Sequence, residues 1–250
     1  MKHCEFSFER LHVHSDLLQF LSAAEEHVLA WDPLHAVVDQ FMRASEGAVV
    51  TLAEASRAHR LGSKMAAVDC SLGSVLECAA CMDVAEAKSL IASENAHPLK
   101  RQFVVIFRRL VALRKSWQKS AVRETEASYG KDGGFHHERL DAYQLALKVV
   151  KELALTHLVD RLARGAYRRI DEPATSMVLN IAEGNGRFAH MDHQRFLQIA
   201  NRATTKLAAR LEIIALQGLL EPTAKDRIKA VLVRVDATTD ALARTWSGQR

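Results

Sequence analysis

Apolar residues recur every three or four positions along most of the chain, which is the spacing of one face of an α-helix. Near the N-terminus this spacing is given by Leu11, Leu17, Leu18 and Leu21. The pattern predicts amphipathic helices in both halves of the chain, separated by short connections. We expect them at about 8–29, 34–59, 63–93, 99–123, 137–158, 160–183, 190–219 and 223–246.

The ends of these helices are predicted from capping residues and helix breakers. Asp32 and Ser63 are expected to be N-caps, with Pro33 in the first helical position after Asp32. Gly184 is expected to end a helix in the left-handed conformation, and Gly186 to let the next turn pass close to a neighbour.

The two halves of the chain repeat each other. Short strings return after 129 residues: 9–11 at 138–140, 53–54 at 182–183 and 79–80 at 208–209. A constant offset over such a length indicates one helical unit made twice. The last helices align instead at an offset of 124, through Pro98 and Pro222. This predicts a turn at 95–98 and about five extra residues near 92–97 in the first half.

Four amphipathic helices with short connections bury their apolar stripes against one another as an antiparallel bundle. The sequence therefore predicts an all-α protein with two tandem antiparallel four-helix bundles. We expect the first bundle at 1–125, a glycine-rich linker at 126–136 and the second bundle at 137–250. A length of 250 residues suits two such domains.

Composition agrees with a helical protein of the cytoplasm. Aromatic residues make up 6% of the chain and there are four prolines, a mixture that favours helices over sheets. No run approaches the roughly 18 apolar residues of a membrane span. Residues 1–10 lack the apolar core of a signal peptide. None of the four cysteines falls in the second half, so they form no disulfide framework shared by the repeats.

Motifs for catalysis or metal binding are sparse. Cys78 and Cys81 form a Cys-x-x-Cys string in mid-helix, which is typical of small core residues, with zinc or redox chemistry as the alternative. His190 and His193 stand three apart at a helix start, where capping or surface positions are expected, with metal binding as the alternative. Phosphate loops, nucleophile elbows and di-iron motifs are absent from the sequence. We expect no enzyme activity, no cofactor and no metal.

One string in the second half carries a family resemblance. Residues 180–184 read Asn-Ile-Ala-Glu-Gly, followed by Gly186 and Arg187. The first half keeps other parts of the pattern, at Phe8–Leu11, Gln40, Arg43, Ala44, Gly47, Gly73, Ser74 and Glu77. Together these residues resemble the four-helix-bundle family known as 23S rRNA intervening-sequence proteins. The chain departs from that pattern at Asp171 and Glu172, where the family tends to carry arginines.

The resemblance implies a function that involves RNA. Some family members are encoded inside inserts of 23S rRNA genes, and most are single-unit proteins that assemble into rings, often pentamers. A related bundle is the accessory protein of diversity-generating retroelements, which works with a reverse transcriptase and its RNA. The resemblance therefore implies a homo-oligomer that associates with RNA.

Positive charge is concentrated in the second half. Residues 1–129 hold 15 Lys and Arg against 16 Asp and Glu, and residues 130–250 hold 19 against 14. Arginine binds phosphate bidentately, so basic helix faces suit an RNA backbone. The expected phosphate contacts are Arg164, Arg168, Arg187, Arg195, Arg202, Lys206 and Arg210. The alternative is a solvated surface whose basic groups pair with Asp160, Asp171 or Glu212.

Asn180 and Glu183 are expected to play a structural role by bonding backbone groups of the adjoining loop. Two functions then compete. The first is a non-enzymatic accessory protein that binds structured RNA through basic helix faces, together with a reverse transcriptase or ribosomal RNA. The second is a protein–protein scaffold that forms a ring-like oligomer without binding nucleic acid.

Overall fold

The computed structural model describes residues 7–58, 60–118, 134–186 and 190–247. Almost all of these residues are helical and none lies in a strand, so the predicted all-α class is confirmed. The α-helices of the described ranges are α1 His12–Val28, α2 Ala36–Arg57, α3 Leu61–Ala87, α4 Ser93–Trp117, α5 Asp141–Ala154, α6 Leu158–Arg161, α7 Arg164–Gly186, α8 His190–Leu216 and α9 Pro222–Ser247. Short 3₁₀ helices, Ser7–Arg10 and His136–Arg139, precede α1 and α5.

The helix boundaries repeat with the offset found in the sequence. The starts of α1 and α5, of α3 and α8, and of α4 and α9 each differ by 129 residues. The alignment of the last helices at an offset of 124 was therefore wrong, and the first half has no extra residues there. Pro98 does not mark a helix start, because α4 begins at Ser93 and runs through the predicted turn at 95–98. Pro98 is the sixth residue of α4, so it lies in the second turn and removes the backbone hydrogen bond to the carbonyl of Glu94.

The third helices of both halves also end in the same way. Ser89 and Gly218, 129 residues apart, adopt left-handed φ values of 59° and 71°. The amide of Leu90 donates to the carbonyl of Ala85 at 2.9 Å, and the equivalent pair of the second half is also 2.9 Å apart. This is the Schellman pattern of hydrogen bonds at a helix C-terminus.

Other predicted boundaries were wrong. The carboxylate of Asp32 accepts the amide of Leu34 at 2.8 Å, which forms a turn before α2 instead of a helix cap. Ser63 lies inside the first turn of α3. The helix predicted at 137–158 is divided at two places. Extended backbone at Leu140 separates the 3₁₀ helix from α5, and a left-handed φ of 50° at His157 separates α5 from α6.

Within each half the long helices contact one another in cyclic order: α1, α2, α3 and α4 in the first half, and α5, α7, α8 and α9 in the second. The halves meet where α3 packs on α7 and α5, and a single hydrophobic core runs through both. The division into separate domains, 1–125 and 137–250, stays a prediction. Most of the predicted linker, 126–133, lies outside the described residues.

Helix α3 is the most deeply buried element. By length and composition it is the one helix of the described ranges that could cross a membrane, with a mean hydropathy of 1.4 over its most apolar window. However, 67% of that window is buried inside the protein. Contacts with α2, α4, α5 and α7 account for this burial, so α3 has the character of a core helix.

Candidate nucleic-acid interface

The predicted basic stripe of α8 lines a groove against α7. Arg202, Lys206 and Arg210, together with Glu172 of α7, border a cavity of about 240 Å³, which we call the basic groove. A helix rises about 1.5 Å per residue, so the three basic residues span about 12 Å along α8. The structure therefore brings together three of the predicted phosphate contacts.

The basic residues of α7 continue this surface. The guanidinium group of Arg210 donates a hydrogen bond to the backbone carbonyl of Arg169. Arg164 and Arg168 are exposed on the same helix as Arg169. Arg168 lies 3.8 Å from the carboxylate of Asp39 in α2, so its charge is partly compensated.

Two further predicted contacts are not among the described residues that line the groove. Arg195 is exposed on α8, but it does not line the groove. Arg187 lies outside the described residues. Arg161, which falls in the helix predicted at 160–183, ends the separate helix α6 instead, because extended backbone at Leu162 interrupts the helix.

The carboxylates that were expected to compensate the stripe lie against other basic residues. Asp171 pairs with the buried Lys88. Glu212 pairs with two lysines of α9, and Asp160 lies 3.8 Å from His157. Among the residues that the structure describes, no ion pair involves the three basic side chains of the groove. The groove therefore keeps its positive charge available to a ligand.

The Asn180–Gly184 string lies within α7 and not at its end. The side-chain amide of Asn180 donates to the carbonyl of Ser176 at 2.7 Å, so it does not reach the adjoining loop. Among the described glycines only Gly218 has a positive φ, so the left-handed end predicted at Gly184 was wrong. A Cβ added to Gly184 would lie 3.1 Å from the Cβ of Phe196. The glycine allows α7 and α8 to pack closely.

Gly186 allows a second close approach, this time between the two halves. A Cβ at this position would lie 1.7 Å from a methyl carbon of Leu76 in α3. Near the same helix end, Nδ1 of His193 donates to the carbonyl of Gly184 at 2.5 Å, which ties the start of α8 to α7. Glu183 is half-buried, and the side chain of His190 lies outside the described residues.

Cys78 and Cys81 are fully buried in α3 as free thiols. Burial raises the pKa of both thiols well above their ordinary value, which keeps them protonated. Neither belongs to a group of metal-ligating side chains within the described ranges. The two cysteines therefore have the packing and chemistry of core residues.

A buried ion pair between the halves was missed by the sequence analysis. Lys88, just after α3, donates to the carboxylate of Asp171 and, at 3.0 Å, to the hydroxyl of Thr175. Asp171 also accepts the backbone amide of Ala36 at 2.8 Å. Burial lowers the pKa of Lys88, although the carboxylate opposes that shift. The departure from the family pattern at Asp171 was the one signal in the sequence that pointed here.

A cavity of about 510 Å³ lies beside this pair. Its lining includes His35 and Tyr167, whose Nδ1 and hydroxyl are 2.9 Å apart. Ser89 and His157, the two residues other than glycine with positive φ in the described ranges, also line it. Burial lowers the pKa of His35 and raises that of Tyr167. The lining of the cavity is mostly apolar, and it includes the paired side chains of Lys88 and Asp171.

A second buried polar cluster joins the halves at Asp83, which lies in the last turns of α3 before Lys88. The ammonium group of Lys100 lies 2.6 Å from Asp83 and 2.7 Å from Glu138. The hydroxyl of Tyr143 donates to Asp83 at 2.6 Å. Burial raises the pKa of Asp83. Burial by itself would lower the pKa of Lys100, but the carboxylates of Asp83 and Glu138 outweigh it, so the pKa of Lys100 is raised.

His137 belongs to this cluster. Ligand atoms of His137, Asp83 and Glu138 lie within 4.8 Å of one another, the one such group in the described part of the chain. Neither ring nitrogen has a hydrogen-bond partner among the described residues, and burial lowers the pKa of His137 to about 3. The Lys100 ammonium already lies against both carboxylates, so a metal ion would have to displace it.

Comparison with known proteins finds no relative: no family model, no curated protein and no solved structure matches the chain. The fold and the groove define an all-α protein of helical-bundle character with a basic surface on α7 and α8. Membership of the 23S rRNA intervening-sequence family stays a prediction from the sequence.

Proposed function

We propose that this protein is a non-enzymatic accessory protein that binds the phosphates of structured RNA along the basic groove. The observation that carries the proposal is the position of Arg202, Lys206 and Arg210 on one groove, while the acids expected to neutralise them pair elsewhere. An unneutralised row of cations attracts a polyanion and gains affinity by releasing its counterions.

The chemistry of the groove favours the RNA backbone over the bases. Guanidinium groups bind phosphate oxygens bidentately, and the exposed Arg164 and Arg168 extend the basic surface along α7. The described residues that line the groove include no aromatic side chain, so they offer no platform on which bases stack. We therefore expect recognition by charge and shape, with little dependence on base sequence.

The cellular partner is proposed from the resemblance alone. If the chain belongs with the 23S rRNA intervening-sequence proteins, its RNA is ribosomal. If it belongs with the retroelement accessory proteins, its RNA is the one bound by a reverse transcriptase. Both possibilities place the protein in the cytoplasm as a partner of RNA, with no cofactor.

The test is a titration of the full chain into a fluorescently labelled RNA hairpin, followed by anisotropy at several salt concentrations. Replacing Arg202, Lys206 and Arg210 together by Glu should weaken binding at least about tenfold. Loss of three phosphate contacts should also reduce the slope of log K against log salt by about 2.

A second triple variant separates the groove from net charge. Lys148, Arg234 and Arg244 are exposed on α5 and α9, away from the groove. Replacing them by Glu changes the formal net charge from +4 by the same six units. This control should bind more tightly than the groove variant. The proposal is contradicted if both variants lose the same amount of RNA affinity, or if the groove variant binds RNA as tightly as the wild type.

A further inference from the structure

The cavity of about 510 Å³ lies where the two halves meet, and we call it the junction cavity. The first half lines it with the end of α3, the turn that follows and His35 just before α2. The second half lines it with the end of α5, α6 and one face of α7. Its volume falls in the range of about 300–1,000 Å³ that is typical of sites for small molecules.

The polar network of the junction cavity is not part of the repeat. The hydroxyl of Tyr167 lies 2.9 Å from Nδ1 of His35 and 3.3 Å from Asp171, which pairs with Lys88. At the positions equivalent to 35, 88, 167 and 171 the repeat has Arg164, Gln217, Val38 and Met42. The repeated helical framework therefore forms without this network. A contact that only joined the halves would be filled by side chains, since protein interiors are close-packed, whereas here the polar groups border an open space.

Backbone strain is concentrated at the same cavity. Ser89 and His157 have φ values of 59° and 50°, and both residues line the cavity. The repeat places Gly218 at the position of Ser89, where glycine adopts a positive φ without strain. It places Val28 at the position of His157, and Val28 lies in the regular helix α1. Strained residues of this kind cluster at sites that hold ligands.

The charges around the junction cavity favour a neutral ligand. The lining contains two lysines and two acidic residues: Lys88, Lys151, Glu86 and Asp171. Lys88 and Asp171 pair with each other, and burial lowers the pKa of His35, which favours its neutral imidazole. A charged ligand would lose its hydration without gaining an unpaired opposite charge inside the cavity. A neutral ligand gains free energy by burying apolar surface against the mostly apolar lining.

We propose that the junction cavity binds a small neutral molecule that is largely apolar and carries one hydrogen-bonding group, such as a hydroxyl or an amine. The apolar part of the ligand packs against Val150, Leu153 and Ile170, which line the cavity. Its polar group bonds with the hydroxyl of Tyr167 or with the imidazole of His35. Among the described residues that imidazole has one side-chain partner, Tyr167, which is bonded at Nδ1.

A ligand in the junction cavity contacts both halves at once. A molecule that binds the folded chain and not the unfolded chain raises the stability of the fold. Occupancy of the cavity therefore strengthens the junction between the halves. The site is separate from the basic groove, because none of the described residues that line the groove lines the cavity. The inference therefore holds whether or not the protein binds RNA.

The test uses two dyes that share the same rings. N-phenyl-1-naphthylamine is neutral, carries one amine and becomes more fluorescent in apolar surroundings. Its titration into the full chain should show saturable binding of one dye per chain. The sulfonated dye 8-anilinonaphthalene-1-sulfonate should bind at least about tenfold more weakly, because its charge would be buried unpaired. The proposal is wrong if the sulfonated dye binds as tightly as the neutral dye or more tightly.

Ala154→Phe locates the binding site. Ala154 ends α5 and lines the junction cavity, so a phenyl ring at this position fills part of the space. The affinity for the neutral dye should fall at least about tenfold. Ala215→Phe is the matched control, because Ala215 is a half-buried alanine near the end of α8 that is not among the residues lining the cavity. This control should bind the dye as the wild type does.

A further variant excludes the other large apolar site, a groove of about 460 Å³ between α1 and α2. Val50 lines that groove and is exposed, so Val50→Asp should leave the affinity for the dye unchanged. Ala154→Leu is a milder second variant for the cavity, and circular dichroism checks that every variant remains helical. The proposal fails if wild-type protein shows no saturable binding, or if both Ala154 variants keep the wild-type affinity. It also fails if Ala215→Phe or Val50→Asp abolishes binding of the dye.

Discussion

The two halves of this protein share their helix boundaries but use an equivalent ion pair differently. In the first half, Asp83 and Lys100 are largely buried under the second half. In the second half, Glu212 and Lys229 hold the same places on α8 and α9 but remain partly exposed. Burial makes a pair costly to break, whereas an exposed pair contributes little to stability. The repeat preserves the ion pair, and its burial by the other half determines how much the pair contributes to stability.

The halves differ again in the groups that have no counterpart across the repeat. Lys88 and Asp171 form a buried pair, while their equivalents are Gln217 and Met42. Because a buried charge needs its partner, this pair fixes how α3 and α7 meet. Comparing equivalent positions therefore separates residues that pack within one half from residues that join the two halves.

The largest expected effect is from Lys88→Met. It leaves the Asp171 carboxylate buried without its cation, which should lower the free energy of unfolding by about 3–5 kcal/mol. Urea denaturation followed by circular dichroism measures the change. Gln217→Met, at the exposed equivalent position, is the matched control and should have almost no effect.

The double variant Lys88→Met with Asp171→Met sharpens this prediction. It removes both charges and places methionine at 171, as the repeat does at Met42. Most of the lost stability should return, because no unpaired charge remains buried. A Lys88→Met protein as stable as the Gln217→Met control would show that the pair does not hold the halves together.

A pH dependence of stability should arise from His137. Its pKa is about 3 in the folded chain against an ordinary 6.5, so the unfolded chain binds a proton first as the pH falls. Its contribution is therefore fully present above pH 6.5 and is lost as the pH falls towards 3. The loss should reach up to about 1.4 kcal/mol per pH unit.

His137→Phe tests this dependence, since Phe8 holds the equivalent position in the first half. Urea denaturation between about pH 7 and about pH 4 should show the variant gaining stability relative to wild type as the pH falls. Parallel curves for the two proteins over that range would mean that His137 does not stay neutral when buried.

The smallest expected effect concerns the helix ends at Ser89 and Gly218. Both have positive φ, which strains any residue other than glycine. Ser89→Gly should raise stability by up to about 1 kcal/mol, and Gly218→Ser should lower it by a similar amount. Thermal unfolding should move by about 2–4 °C in opposite directions. Shifts of the same sign would contradict the equivalence of the two ends.

Much of the fold could be predicted because helix formation depends mainly on residues that are close together in the sequence. Apolar spacing identified the long helices, and the spacing of Arg202, Lys206 and Arg210 placed them on one face. The start of α4 was missed because Pro98 suggested a boundary, whereas the helix begins five residues earlier and continues through the proline. Local signals of this kind can err by several residues at helix ends.

The contacts between the halves could not be predicted from the sequence in the same way. Lys88 and Asp171 are 83 residues apart, and their pairing depends on which faces of α3 and α7 meet. The partial neutralisation of Arg168 by Asp39 of α2 has the same origin. Periodicity shows which side of a helix is apolar, but it does not identify the helix that will cover it.

The single hydrophobic core has a consequence for attempts to produce either half alone. Helix α3 contacts helices of both halves, so a fragment that ends before residue 134 would expose the side of α3 that α5 and α7 cover. Apolar surface exposed in this way favours aggregation of the fragment. The repeat therefore does not make the two halves separable pieces, because the residues that cover α3 come from both.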